Sequence, residues 1–212
     1  MNLKNELIKT KFIPIAVFND PARALKMAEV LTAGSINILE ITLRTDAAFK
    51  CINEISKKFP DLLLGCGSVL SKDALKRAAD EGAKFGVAPS FDPEIVDYAA
   101  SINIPFIPGT VTPTELYNAV KAGIKIIKVF PVSNLGGVDY LNAITAPFKI
   151  LDFHIVPTGG INEKNLPDYL RQERVIACGA SYIVDSKLIE KGDFTELAGR
   201  IKRLREMIDS LS

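Results

Sequence analysis

The chain has 212 residues, 48% hydrophobic and 24% charged, with 26 basic against 25 acidic residues and a net charge of +1. That is ordinary globular composition, with room for one domain spanning residues 1–212 and a substantial core. The balance asks for neither nucleic acid nor a membrane as partner, no apolar run is long enough to span a bilayer, and no signal peptide is evident at the start, so a cytoplasmic protein is expected.

Short apolar strands alternate with helical patterns along the chain. An N-terminal helix over Leu3 to Thr10 leads into a strand from Phe12 to Phe18. Asp20-Pro21 then starts a helix to about Ala33, with Asp as N-cap and Pro at the first helical position. A second strand, Ile36 to Leu43, precedes a helix from Asp46 to Lys58. The third strand is Asp61 to Gly65, and its helix runs from Ser71 to Glu81. Phe85 to Ala88 and the helix Asp92 to Ser101 follow, then a short strand at Pro105 to Ile107 and a helix capped by Thr112 that reaches Ala122. The sixth strand lies within Ile124 to Pro131, with a helix around Asp139 to Ile144. His154 to Pro157 is the seventh, followed by a helix from Asn162 to Arg171. Val175 to Cys178 is the eighth, and the last helix runs from about Phe194 to Leu211.

Eight strand–helix units in this order predict an α/β fold, a parallel (β/α)8 TIM barrel with an extra N-terminal helix. The rival is an open doubly wound sheet, which periodicity alone does not separate from it. In both folds ligands bind at the carboxyl ends of the strands, so polar residues there define a candidate site.

The sixth strand holds two lysines. Alternation puts Ile126, Lys128 and Phe130 on one side, and Lys125, Ile127 and Val129 on the other. Lys125 is near the strand start and snorkels to water along its own stem. Lys128 is near the strand end among apolar neighbours. An amine buried there favours its neutral form, which attacks carbonyls. The plainer alternative is a lysine in an ion pair at a strand end.

The second strand presents Ile38, Glu40, Thr42 and Arg44 on one face and Leu39, Ile41 and Leu43 on the other. The apolar face packs under helices, and the polar face points into the barrel mouth. Glutamate, threonine and arginine there are costly unless paired or used. Two readings stay open: an internal Glu40–Arg44 salt bridge, or an acid–base carboxylate beside an arginine that holds an anionic substrate.

Small residues gather at other strand ends: Gly65-Cys66-Gly67-Ser68 after the third, Thr158-Gly159-Gly160-Ile161-Asn162 after the seventh, and Gly179-Ala180-Ser181 after the eighth. Glycines admit a ligand close to the backbone, and N–H groups at helix starts attract anions. Loops after strands seven and eight of a barrel often hold phosphate. Pro89-Ser90 and Pro108-Gly109-Thr110 read as turns. Cys51, Cys66 and Cys178 are odd in number and far apart, so no disulfide framework is implied. The single histidine, His154, sits at a strand start and reads as structural; a metal site of several imidazoles is excluded within this chain, a carboxylate Mg²⁺ site is not.

With these residues in place, the chain resembles the 2-keto-3-deoxy-6-phosphogluconate (KDPG) aldolase and 4-hydroxy-2-oxoglutarate (KHG) aldolase family. The resemblance rests on Leu39-Glu40-Ile41-Thr42-Leu43-Arg44-Thr45, Lys128-Val129-Phe130-Pro131 and Pro157-Thr158-Gly159-Gly160-Ile161, in that order. It implies a class I aldolase on a (β/α)8 barrel, working without metal or cofactor, as a homotrimer, on a 2-keto acid phosphate. The implied reaction cleaves KDPG to pyruvate and glyceraldehyde 3-phosphate, with KHG cleavage to pyruvate and glyoxylate as a second activity. A relative that cleaves 2-keto-3-deoxy-6-phosphogalactonate shares the lysine and is the alternative. By the same resemblance Lys128 is the Schiff-base residue and Glu40 the general acid–base. Arg44, Ser68, Pro89, Phe130 and Thr158 bind substrate, and Gly159, Gly160, Gly179 and Ser181 bind phosphate. Ser68 departs from the threonine common in the family; it keeps the hydroxyl and loses a methyl, which predicts activity with altered affinity or selectivity.

Overall fold

The computed structural model describes residues 2–211. The strands are β1 (Phe12–Ala16), β2 (Ile38–Thr42), β3 (Leu63–Gly67), β4 (Phe85–Val87), β5 (Phe106–Ile107), β6 (Gly109–Thr110), β7 (Ile126–Val129), β8 (His154–Pro157) and β9 (Cys178–Ala180). All the pairings are parallel. One sheet runs β5-β4-β3-β2-β1-β9 and a second β6-β7-β8. The two join at both sides. β5 and β6 are one stretch of chain interrupted at Pro108, whose missing N–H leaves it without a donor for the ladder. On the other side, Ile155 bridges to Val175 and Thr158 to Gly179. The circuit closes as eight strand positions, the (β/α)8 barrel, and the open-sheet alternative falls.

The helices start where their caps predict. Asp20 accepts from Ala22 N at the head of α2 (Pro21–Ala33), and Ser71 from Ala74 N at the head of α4 (Lys72–Asp80). Asp92 heads α5 (Pro93–Ser101), and Thr112 and Glu115 form a capping box on α6 (Pro113–Lys121). The extra helix, α1 (Leu3–Thr10), buries Leu3 and Leu7 and shares a cleft with Pro105, Phe106, Ile107, Lys125 and Ile126, where β5 and β7 begin. That end of the barrel is opposite the candidate site. α3 (Ala48–Lys58), α7 (Gly137–Thr145) and α10 (Phe194–Asp209) match expected helices within a few residues.

Four local expectations are corrected. Strand three reaches Gly67, two residues past the expected Gly65, because Gly65, Cys66 and Gly67 pair in register with Glu40, Ile41 and Thr42. The eighth strand is Cys178–Ala180, paired with Phe12–Pro14, so Gly179 is a strand residue and not a loop glycine. Gly109-Thr110 is ladder, paired with Lys128 and Val129, rather than turn. The helix expected from Asn162 shrinks to α8 (Leu166–Leu170), since the Asn162 and Asn165 side chains take up backbone groups in a turn first. A short helix, α9 (Ser186–Lys191), has no counterpart among the expected elements.

Among the described residues, no helix is long and apolar enough to cross a membrane. The three cysteines are buried thiols.

The Phe85 ring is fully buried and occupies the space a side chain would fill at Gly65. Phe85→Ala should therefore destabilise the fold by about 3–5 kcal/mol, read as a lowered urea midpoint.

Candidate active site

Lys128 stands one residue before the end of β7 and is 7% exposed. Its N–H donates to Pro108 O at 2.9 Å, and its carbonyl accepts from the Thr110 hydroxyl at 3.3 Å. The strand is thus tied to β6 on either side of the lysine. Nζ lies 5.2 Å from the Phe130 ring centroid, within cation–π range. Lys125 behaves as expected: it is exposed at the other end of the strand and pairs with Asp152 at 3.0 Å.

Glu40 is the middle residue of β2 and 2% exposed. Its carboxyl is seated against Gly67, where a Cβ would lie 2.0 Å from Oε1. Burial raises the proton affinity of Glu40 above the ordinary carboxylate range; the positive charges of Lys128 and Arg44 oppose that shift. β2 and β7 are not neighbours in the ladder, so Lys128 acts on Glu40 across the barrel interior.

Arg44 lies just past β2 and is exposed. Among the described residues it makes no ion pair with Glu40, so the internal salt-bridge reading falls. Its loop is anchored next door, where the Thr45 hydroxyl donates to Phe18 O at 2.6 Å. Ser68 follows Gly67 at φ 57°, left-handed, which turns the chain sharply off β3 and leaves the side chain half-buried at the mouth. Pro89 follows β4, half-buried, with Gly109 so close to its carbonyl that a Cβ there would lie 2.3 Å from the oxygen.

Thr158 is buried just beyond β8, and its bridge to Gly179 sets the last two glycine segments side by side. Gly179 has no side chain where Thr158 Oγ1 would be 2.7 Å from a Cβ. Gly159 and Gly160 take positive φ, 96° and 77°. Among the described residues their N–H groups donate to no protein acceptor. Two consecutive backbone donors without a protein acceptor are a candidate feature for an anion. Ser181 is exposed and precedes a 3-10 turn over Tyr182–Val184.

The expected residues therefore divide into two neighbouring groups at one end of the barrel. Glu40, Lys128 and Phe130, with Ser68, Pro89 and Arg44 at the strand ends, form the side that carries the buried lysine; Thr158, Gly159, Gly160, Gly179 and Ser181 form the glycine-lined side. Gly67 is a seat that sequence reasoning missed. The glycine was read as room for a ligand, whereas the room is taken by the Glu40 side chain. Cys66 carries no nucleophile: its thiol donates to Phe85 O at 3.6 Å and is pushed up to about 12, chiefly by burial and then by Glu40. His154 is at the opposite end of β8, paired with Ile126. Among the described residues, no group of three or more His, Cys, Asp and Glu is placed to hold a metal ion.

A family model described as KDPG and KHG aldolase matches residues 3–200. The 2-dehydro-3-deoxy-phosphogluconate aldolase of Treponema pallidum (strain Nichols) is 34% identical over 202 residues, 95% of this chain and 95% of that protein. The KHG/KDPG aldolase of Escherichia coli (strain K12) is 36% identical over 197 residues, 93% of this chain and 90% of that protein. The crystal structure of KDPG aldolase from Legionella pneumophila, with pyruvate captured at low pH as a covalent carbinolamine intermediate, superposes with a TM-score of 0.91 at 31% identity, covering 96% of this chain and 98% of that one.

A carboxyl with raised proton affinity in the folded state binds more protons there than in the unfolded chain over the window between its two pKa values. Stability then falls as pH rises from the ordinary carboxylate range through the folded value. Glu40→Gln should accordingly be more stable than the parent at about pH 8 and no more stable at about pH 4, compared by urea midpoints.

Proposed function

The chain belongs to the KDPG and KHG aldolase family, and from that premise we propose that its lysine mouth performs Schiff-base aldol cleavage with Lys128 as nucleophile and Glu40 as acid–base. The activity is that of a class I aldolase acting on a phosphorylated 2-keto acid, KDPG, and releasing pyruvate and glyceraldehyde 3-phosphate. The observation that carries the residue roles is the juxtaposition of a buried amine and a buried carboxyl facing each other across a closed barrel.

The unprotonated amine of Lys128 attacks the C2 ketone. Loss of water leaves an iminium, an electron sink conjugated to C3. Glu40, directly or through a water, takes the proton of the C4 hydroxyl. The C3–C4 bond breaks, its electron pair moves to the iminium to give an enamine, and the aldehyde departs. The proton held by Glu40 returns to C3, and water hydrolyses the new iminium to pyruvate and free Lys128. Removing such an acid–base group typically costs about 10²–10⁴-fold in rate.

The remaining residues hold the substrate at its two ends. Arg44 and the Ser68 hydroxyl take the C1 carboxylate, a charge-assisted contact at the barrel mouth. Phe130 and Pro89 supply apolar walls, and Thr158 lies between the two groups. Gly159, Gly160, Gly179 and Ser181 receive the distal phosphate through backbone N–H groups and a hydroxyl. Fixing both ends keeps C3–C4 over the amine. In this reading residues 1–212 work as one domain in a cytoplasmic homotrimer, with the subunit number open to light scattering.

Borohydride reduction with pyruvate should leave a pyruvyl adduct on the peptide that carries Lys128, seen by intact mass and peptide mapping. Lys128→Ala should stay folded, give no adduct and lose cleavage by on the order of 10³-fold or more. Parental turnover by folded Lys128→Ala would sink the mechanism.

A further inference from the structure

β2 carries another polar side chain into the barrel, Thr42, to which none of the steps above gives a task. It lies two residues beyond Glu40, so both side chains leave the strand on the same side. Thr42 is 2% exposed, and its hydroxyl oxygen is buried with no hydrogen-bond partner among the described residues. Natural interiors rarely leave such a group unpaired, so this one calls for an explanation.

The register shows what this hydroxyl faces. Thr42 pairs with Gly67, and Glu40 pairs with Gly65. Yet the Glu40 carboxyl lies against Gly67 and not Gly65, whose open side is filled by the Phe85 ring. The Glu40 side chain therefore climbs toward the strand ends by one side-chain repeat, to the level at which Thr42 projects. Glu40 likewise has no hydrogen-bond partner among the described residues. Two polar side chains without a hydrogen-bond partner among the described residues thus share one level of the barrel beside one bare stretch of β3.

A carboxylate only accepts hydrogen bonds, and a threonine hydroxyl is a rotatable donor that also accepts. We infer that Thr42 is a positioning residue for Glu40, its hydroxyl donating to the ionised carboxylate and accepting from the protonated one. A rotation of the hydroxyl, with a small adjustment of the two side chains, follows the proton on and off Glu40. The inference rests on the acid–base role of Glu40 given above. The charged groups that face Glu40 are Lys128 from β7 and Arg44 from beyond β2; Cys66 of β3, on the opposite face of its strand, interacts with it electrostatically. The two cations favour the carboxylate, and the Cys66 thiol stays protonated through the working range. Thr42 adds a neutral donor on the same strand as the carboxyl.

The test compares Thr42→Val and Thr42→Ser in the full chain. Valine removes the donor, so the acid limb of the kcat profile should move up by about one pH unit, with kcat down about tenfold at pH values below the shifted limb and KM little changed. Serine should restore the parental limb, which a purely structural role for Thr42 would not predict. Both variants should still give the borohydride-trapped pyruvyl adduct. A parental acid limb in folded, adduct-forming Thr42→Val overturns the role of Thr42. Persistence of that limb in Glu40→Gln overturns instead the acid–base assignment of Glu40, and the inference with it. Thr42→Ala takes the place of the valine variant, with the same readings, where valine does not fold.

Discussion

Much of this molecule follows from the need to keep one carboxyl out of water while leaving it useful. Glu40 is buried near the middle of a barrel strand, where desolvation favours its neutral form. Two cations, Lys128 across the lumen and Arg44 at the rim, pull in the other direction. With only desolvation the group would remain an acid, and with only close ion pairing it would remain a base. In the proposed role, in which Glu40 takes a proton from C4 and returns one to C3, the group benefits from having neither influence run unopposed.

That balance depends on barrel closure. β2 and β7 belong to different ladders, and no hydrogen bond between backbones brings them together. They face each other because the β5–β6 stretch on one side and the Thr158–Gly179 bridge on the other complete the circle. In an open sheet of the same strands, Glu40 and Lys128 would sit several strands apart. The strands are short, two to five residues, so the interior has few layers and each inward position is decisive. The mouth is left to Glu40, Thr42 and Lys128, and the glycines of β3 make room for both the Phe85 ring and the Glu40 carboxyl.

The sequence made the elements legible where local chemistry is unambiguous. Asp20-Pro21, Asp92-Pro93 and Thr112-Pro113 announce helix starts because cap and first-turn proline act within a few residues. Alternation alone placed Glu40 and Lys128 inside. It failed where glycine carries a tertiary meaning. Gly65 and Gly67 resemble turn residues, and so does Gly179, yet all three are strand positions whose missing side chains receive Phe85, Glu40 and Thr158. The α9 helix was missed because it is short and polar, with only Ile189 buried. The vacant hydrogen bond of Thr42 was out of reach too, since alternation gives a side chain's direction but not what awaits it.

The two halves of the site solve different problems with different parts of the chain. Making and breaking bonds to carbon needs atoms held to a fraction of an ångström, and the residues proposed for that work are strand side chains braced by the ladder. Lys128 is braced through Pro108 O and the Thr110 hydroxyl. Holding a dianionic phosphate needs charge compensation over a wider area. In the proposed reading the backbone N–H groups at Gly159 and Gly160, which have no protein acceptor among the described residues, supply part of it without adding net charge. A cation set directly on those glycines would also act on Glu40 through the low-dielectric lumen and weaken the hold of desolvation there; Lys164, further along the same loop, is exposed and is not among the charges that shift Glu40. Neutral donors on the phosphate side leave the proton affinity of Glu40 to the few groups that face it.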